Sequence, residues 1–438
     1  KKMNWVCKNI NWVALVGVIS LQGGIQAETL SGAFHRMLEN DPELRAAGWD
    51  SKAAEYQARA ARGGLRPQVA LNGSAGFSRR DRSVDGLQSD DGQDRFSRQL
   101  GISLRQLLFD GNSTYHGVKS AEARAELQKF LEMGARETRT VDLVEVYLEV
   151  LRNHEQIAAA RAHVASYRKI HELAVAKFEG GGEEADSALL EGRLSLAESA
   201  LDTQKLQLQR AQGRYLHLVG DIPSDLTPIA QPALPSSLEG LDLANNWDFQ
   251  AARIGHAAAV RDAKSSKGSR WPSLSADVGY SVGEDTLGIA GRDNEFHALV
   301  VGSWNVFDGG TRKASINRSE AMVEKALDLI TTADRERKLN AKIAWMERSG
   351  TNQALQSLKK YHSRLSKVVG DYEDGFEVGK RDILQILDMK GEEYGAKTQL
   401  IDARYEHLAS GYRIMGIAGT LAESLVGQGS SKNPSSAK

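Results

Sequence analysis

The chain has 438 residues, 26% of them charged, and 56 basic against 57 acidic side chains leave a formal charge of −1. A balance this even provides no basic stripe of the kind nucleic-acid binding requires. The single cysteine, Cys7, excludes an intrachain disulfide and any Cys-based metal site.

Residues 1–27 read as a targeting segment. Lys1, Lys2 and Lys8 form a basic n-region, Trp12 to Ile19 an apolar h-region, and Ile25-Gln26-Ala27 a cleavage point before Glu28. A membrane anchor would need about 20 apolar residues, more than this run supplies. Cys7 precedes the h-region, the wrong side for lipid modification. The mature chain is therefore expected to lack cysteine and, without the three lysines, to carry a charge of about −4. Past residue 27 no apolar run is long enough for a transmembrane helix, which leaves open a β-barrel, whose only signal is alternation.

The first half of the mature chain, 28–220, opens with a helix and then alternates from Pro67. Val69, Leu71, Gly73, Ala75 and Phe77 fall on one face, Gln68, Ala70, Asn72 and Ser74 on the other. Leu100, Ile102 and Leu104 oppose Gln99, Gly101, Ser103 and Arg105 in the same way. The pattern predicts a β-hairpin over 66–109 with a long, charged connection from Arg79 to Arg95. Residues 114–177 lack proline and predict one helix, on the order of 95 Å long at about 1.5 Å per residue. Val141, Val144, Leu148 and Leu151 recur on it at three- and four-residue steps, as in a coiled coil. Gly180-Gly181-Gly182 reads as a turn, followed by a helix over 184–219. A linker over 221–240 then holds Pro223, Pro228, Pro232 and Pro235, four of the eight prolines.

The second half, 241–427, repeats the first. Asn40-Asp41-Pro42-Glu43-Leu44 and Arg66-Pro67 match Asn245-Asn246-Trp247-Asp248-Phe249 and Trp271-Pro272 at an offset of 205. Phe109-Asp110-Gly111 and Phe178-Glu179 match Phe307-Asp308-Gly309 and Phe376-Glu377 at 198. Seven residues are thus lost between the proline and Phe-Asp-Gly marks, where a loop tolerates it, and none along the long helix. A hairpin over 271–307, a long helix over 311–375 and a helix over 381–425 follow, and the Ser-, Gly- and Lys-rich residues 428–438 read as an unstructured tail. In the hairpin, Leu274, Ala276, Val278, Tyr280 and Val282 alternate with Ser273, Ser275, Asp277 and Ser281, and Phe296, Ala298, Val300, Trp304 and Val306 with His297, Ser303 and Asn305. A half-buried sheet in a soluble domain alternates like a lipid-facing barrel wall. The charged first loop and the long helices that both hairpins feed favour the barrel.

No catalytic centre is legible. The glycine run lacks the Lys-Ser/Thr of a phosphate-binding loop, and Ala158 stands where a zinc-protease motif starting at His154-Glu155 needs its second histidine. The ten histidines show no metal spacing, so neither an enzyme nor a cofactor is expected.

Over nearly the whole mature chain, Glu28 to Gly427, the sequence resembles the TolC family of outer-membrane efflux and secretion proteins. The resemblance rests on the Pro-led strands, the paired Phe-Asp-Gly marks and the run Phe376-Glu377-Val378-Gly379-Lys380-Arg381-Asp382-Ile383-Leu384-Gln385-Ile386-Leu387-Asp388. It implies a mainly α protein with a β-barrel part. Three protomers, each giving four strands, would form one outer-membrane barrel continued by a periplasmic coiled-coil barrel. It also implies a periplasmic adaptor and an inner-membrane transporter, of ABC type for secretion or RND or another type for efflux. The helix tips would form the gate: Phe376, Gly379, Arg381 and Asp388 match the family pattern, and Gln385 replaces a carboxylate. Asp186 resembles the Asp of the first tip, expected to pair with Arg381; the alternative is that both are solvated helix-end residues. The run from Gly182 to Glu198 resembles components that secrete large adhesins, favouring secretion over drug efflux. A soluble periplasmic scaffold or adaptor is the alternative of a different class.

Overall fold

The computed structural model describes residues 27–79, 83–84, 87–88, 94–178, 184–223, 225–286, 290–378 and 380–430. The targeting segment up to residue 26, the Gly180–Gly182 turn, Gly379, the tail beyond Ser430 and the side chain of Asp186 lie outside that description. The first half runs α1 (Leu30–Asn40), α2 (Pro42–Gly63), β1 (Gln68–Ser78), a short pair β2 (Ser83–Val84) and β3 (Leu87–Gln88), β4 (Arg95–Phe109), α3 (Ser113–Phe178) and α4 (Glu184–Val219). After the linker come α5 (Trp247–Gly268), β5 (Ser273–Glu284), β6 (Arg292–Ser303), α6 (Thr311–Glu377), α7 (Ile383–Ala418) and α8 (Leu421–Ser430). Matching helices agree in length: α2 and α5 have 22 residues each, α3 and α6 have 66 and 67, and α4 and α7 have 36 each. The difference between the halves falls in the hairpin connections, Ser78 to Arg95 against Glu284 to Arg292.

One antiparallel sheet of order β1-β4-β5-β6 joins the two hairpins. Its register lines up whole rows. Leu71, Ile102, Tyr280 and Phe296 form one, and Val69, Leu104, Val278 and Ala298 the next. The intervening rows are polar or small, such as Asn72, Gly101, Ser281 and Glu295. Among the described residues no layer covers the apolar rows: Leu71 is 71% exposed and Phe77 80%. The helices follow the strand order. α2, α3, α5 and α6 lie side by side next to the sheet, and α4, α3, α7 and α6 continue the same wall beyond it.

Two equivalent joints make that continuation possible. α4 ends at Gly220, φ +83°, against Asn40, whose Nδ2 donates to the Val219 carbonyl at 2.9 Å. α7 ends at Gly419, φ +74°, and Asn246 Nδ2 donates to the Ile417 carbonyl at 3.0 Å. Across each joint another helix starts, α2 capped by Asp41 on the Glu43 N–H (2.7 Å) and α5 by Asn246 on the Phe249 N–H (3.1 Å). The largest core lies at this level, where Phe34 and Met37, Tyr147 and Val150, Tyr215, and Leu421 and Leu425 are all buried.

Three expectations need correction. The helix expected over 381–425 breaks, because Gly419 adopts a left-handed conformation that ends it. α8 then turns away, its N-terminus held by the buried Glu137 carboxylate, which accepts from Leu421 N (2.6 Å) and Ala422 N (3.1 Å). The second hairpin stops at Ser303, not 307, because the Trp304 indole N–H donates to the Arg270 carbonyl (3.2 Å) and draws the chain off the ladder. The tail expected from residue 428 begins as the last turn of α8.

The Phe-Asp-Gly marks become intelligible here. Asp110 Oδ2 accepts from Thr114 N (2.8 Å) and Asp308 Oδ2 from Arg312 N (2.9 Å), satisfying the free amides at the start of each long helix. The glycines that follow have φ of +68° and +65°, turning strand into helix. A side chain at Gly309 would meet nothing within 4 Å, whereas one at Gly111 would overlap the Gly268 carbonyl and approach Trp271 at 2.8 Å. Gly309→Ala should therefore cost only the left-handed strain, about 1–2 kcal/mol. Gly111→Ala should cost distinctly more and give the lower unfolding midpoint when the two variants are melted in detergent.

Candidate channel wall and periplasmic tip

The sheet presents two unlike faces. Beside its apolar rows, Trp271, Trp304 and Phe307 stand exposed at one end, Phe307 to 87%, in the position of an aromatic girdle at a membrane boundary. The opposite face carries an ordered charge ladder. Arg105 on β4 contacts Asp277 on β5 at 3.1 Å, and Asp277 contacts His297 on β6 at 3.2 Å. The imidazole lies directly over Gly279, where a side chain would collide with it. Such a face suits a water-filled lumen.

At the far end, the chain reverses between α3 and α4 and between α6 and α7. Phe376 is 6% exposed, packed among Val164, Tyr167, Leu190, Ile383 and Leu387, and Tyr167 Oη donates to the Leu387 carbonyl at 2.9 Å. The Gly375 carbonyl accepts from Lys380 N (2.8 Å) and Arg381 N (3.2 Å), closing the second tip. Arg381 lies against Gly375 and over the Tyr372 ring, 4.3 Å from its centroid. Asp382 caps α7 through Ile383 N (2.7 Å), Gln385 is exposed, and Asp388 pairs with Arg193 of α4 at 3.0 Å. Phe376, Arg381, Gln385 and Asp388 thus share one tip. The partner the structure gives Arg381 is Tyr372. Gly379 and the Asp186 side chain lie outside the described residues, although Asp186 opens α4 at the same end.

Sequence reasoning missed the second layer of this tip. His163 of α3 stacks on Tyr394 of α7, centroids 4.5 Å apart and planes 6° from parallel, with Tyr167 at 4.3 Å. Burial pushes the His163 imidazole below the ordinary histidine range, Lys390 acts in the same direction, and Glu393 opposes them. The four-residue step from 163 to 167 was the available signal, but nothing in the periodicity indicates which helix lies opposite. Among the described residues, no three His, Cys, Asp or Glu side chains gather as a metal site.

A sheet apolar on one side and charged on the other, continued by far longer helices, is the build of an outer-membrane channel chain. The family described as outer membrane efflux protein matches residues 33–217 and 240–420, one match per structural repeat, and the chain belongs to this TolC family. It is 22% identical over 422 residues to outer membrane efflux protein BepC of Brucella suis, covering 95% of this chain and 90% of that protein. It is 24% identical over 436 residues to alkaline protease secretion protein AprF of Pseudomonas aeruginosa, covering 94% and 89%. In fold it resembles the crystal structure of the outer membrane protein VceC from Vibrio cholerae, with a TM-score of 0.78 at 16% identity, covering 89% of this chain and 96% of that one. The protein is an outer-membrane channel with a periplasmic extension, and the family is non-catalytic. Membership supports a place in a tripartite assembly with a periplasmic adaptor and an inner-membrane transporter. A soluble scaffold does not fit these findings.

Phe376→Ala should loosen the tip by about 3–5 kcal/mol, the usual range for emptying a buried aromatic site. Hydrogen exchange over 376–388 should speed up while the equatorial core stays protected. Arg193→Ala removes an exposed pair and should change stability by less than about 1 kcal/mol in the same measurement.

Proposed function

We propose that three copies of this chain close one twelve-stranded barrel and one helical tunnel, forming the exit duct of a type I secretion system for protein cargo. The observation that carries the assembly is the pair of bare edges. Among the described residues, β1 and β6 each pair on one side only, in a sheet whose apolar face is uncovered. Hydrocarbon does not tolerate unpaired backbone groups, so β6 of one copy pairs with β1 of the next. α6 has the same need, since Met322, Leu327, Leu339, Ile343 and Met346 are exposed along it. Detergent extraction from outer membranes should yield a trimer by native mass, and a detergent-free monomer would refute the shared barrel.

At the tip, the α6–α7 turn forms the gate. Arg381, steadied on Tyr372, reaches Asp186 in the closed tunnel, and Asp388 with Gln385 lines the aperture. Arg381→Ala should raise the closed-state conductance in planar bilayers; an unchanged leak would sink the pairing. With only one carboxylate per protomer at the constriction, multivalent cations should block weakly. Gln385→Glu should make that block severalfold stronger.

Protein cargo is supported by the likeness of Gly182 to Glu198 to adhesin-secreting components and by the printed name of AprF, a secretion protein. The name of BepC favours efflux as the second reading, with an RND or other efflux transporter in place of an ABC transporter. Deleting the gene separates them: loss of a secreted protein with unchanged drug sensitivity supports secretion, and drug hypersensitivity with an intact secretome supports efflux.

A further inference from the structure

A crevice of about 360 Å³ lies between the two helix pairs just behind the tip, lined by Ala159, Ala162, His163 and Ser166 of α3, His362 of α6, and Lys390, Glu393, Tyr394 and Lys397 of α7. His163 is the only titratable group that α3 contributes to this lining, with Tyr167 stacked against it, and α4 contributes none. The His163–Tyr394 stack therefore bridges α3 and α7, the helices that must separate if the α6–α7 tip moves. We propose that this stack is a proton-sensitive latch: acidification of the periplasmic side charges the imidazole and shifts the gate toward its open form.

The sign follows from the neighbours. The groups facing the ring are Lys390 and Lys397 on the cationic side, Glu393 on the anionic side, and His362 and the two tyrosines. Glu393 is already engaged, since it accepts from Ser366 Oγ (3.0 Å) and lies 3.4 Å from Lys390, while Lys390 also reaches Glu373 at 2.7 Å. A proton on His163 therefore meets a desolvated surrounding with the Lys390 charge close by in the closed packing, and water in a parted crevice. The closed packing binds that proton less readily, as burial and Lys390 dictate. Its stability is complete above the ordinary histidine value of about 6.5 and falls as the pH drops below it. Three copies around one aperture would act together.

The latch rests on the channel reading, and one experiment separates the two. Detergent-purified wild type, His163→Phe and His163→Gln, each checked for trimer mass, are placed in planar bilayers, and conductance is read as the periplasmic side goes from about pH 7.5 to about pH 5.5. Wild type should gain roughly threefold or more in open-level occupancy, reversibly. His163→Phe keeps a stacking ring without a titrating nitrogen and should lose that gain while matching wild type at neutral pH. His163→Gln should lose it as well, and His362→Gln should keep it. An equal acid response in wild type and both His163 variants, or its loss only in His362→Gln, overturns the latch. No conductance in any protein at any pH would overturn the channel reading itself, and the latch with it.

Discussion

A backbone amide or carbonyl can point at water, at a partner or at another polar group, but it cannot be left bare in hydrocarbon. The outer edges of β1 and β6 place this chain under that constraint, because its apolar rows mark the sheet as lipid-facing. The constraint extends well beyond the membrane. Since the helices stand in the same order as the strands they continue, whatever closes the sheet also brings the edge helices α2, α4 and α6 against neighbours. One hydrogen-bonding requirement in lipid thereby fixes the geometry of a wall that extends far into the periplasm.

Stability is distributed unevenly along that wall. The equator holds the large buried residues, the helix joints at Gly220 and Gly419, and the fully buried Asp41 carboxylate shared between its own helix start and Arg139 at 2.8 Å. A buried, hydrogen-bonded charge of this kind is costly to disturb. Among the described residues, the tip has a smaller cluster around Phe376, with the exposed Asp388–Arg193 pair and the Arg381–Tyr372 contact beside it. Local opening is easiest where buried contacts are fewest. The end farthest from the membrane can therefore part without unravelling the joint that carries it.

Much of this was legible because repeats and periodicity are local signals. The two offsets located the variable hairpin loop, alternation located the sheet, and the lack of proline located the long helices. The breaks were harder. Ile417-Ala418-Gly419 is the repeat counterpart of Leu218-Val219-Gly220, yet the second helix was expected to run on to 425, and the left-handed backbone at Gly419 is what shows that it ends there as its counterpart does. Trp304 fitted the alternation, yet its indole bonds to a carbonyl 34 residues away in sequence. The tip residues were found by motif, but not their partners: Tyr372 stands nine residues before Arg381, near the end of α6, and Arg193 lies on α4. Spacing reports which residues share a face and says nothing about what that face meets.

The two repeats also show how equal segments acquire unequal roles. α3 and α6 differ by one residue in length, but α3 lies inside the wall and α6 at its edge. The interior position buries Val144, Tyr147, Leu148 and Val150 in close succession, while α6 buries scattered residues such as Ile316, Ala341, Leu355 and Val369 and leaves longer apolar side chains bare. An exposed apolar stripe of this kind fits the proposed assembly, in which a neighbouring copy covers it. The α6–α7 pair meets the rest of its own chain chiefly through α3 and α5. The tip on this pair carries Phe376, Arg381, Gln385 and Asp388, and Asp186 of the first repeat opens α4 at the same end, so both helical hairpins contribute residues to the proposed gate.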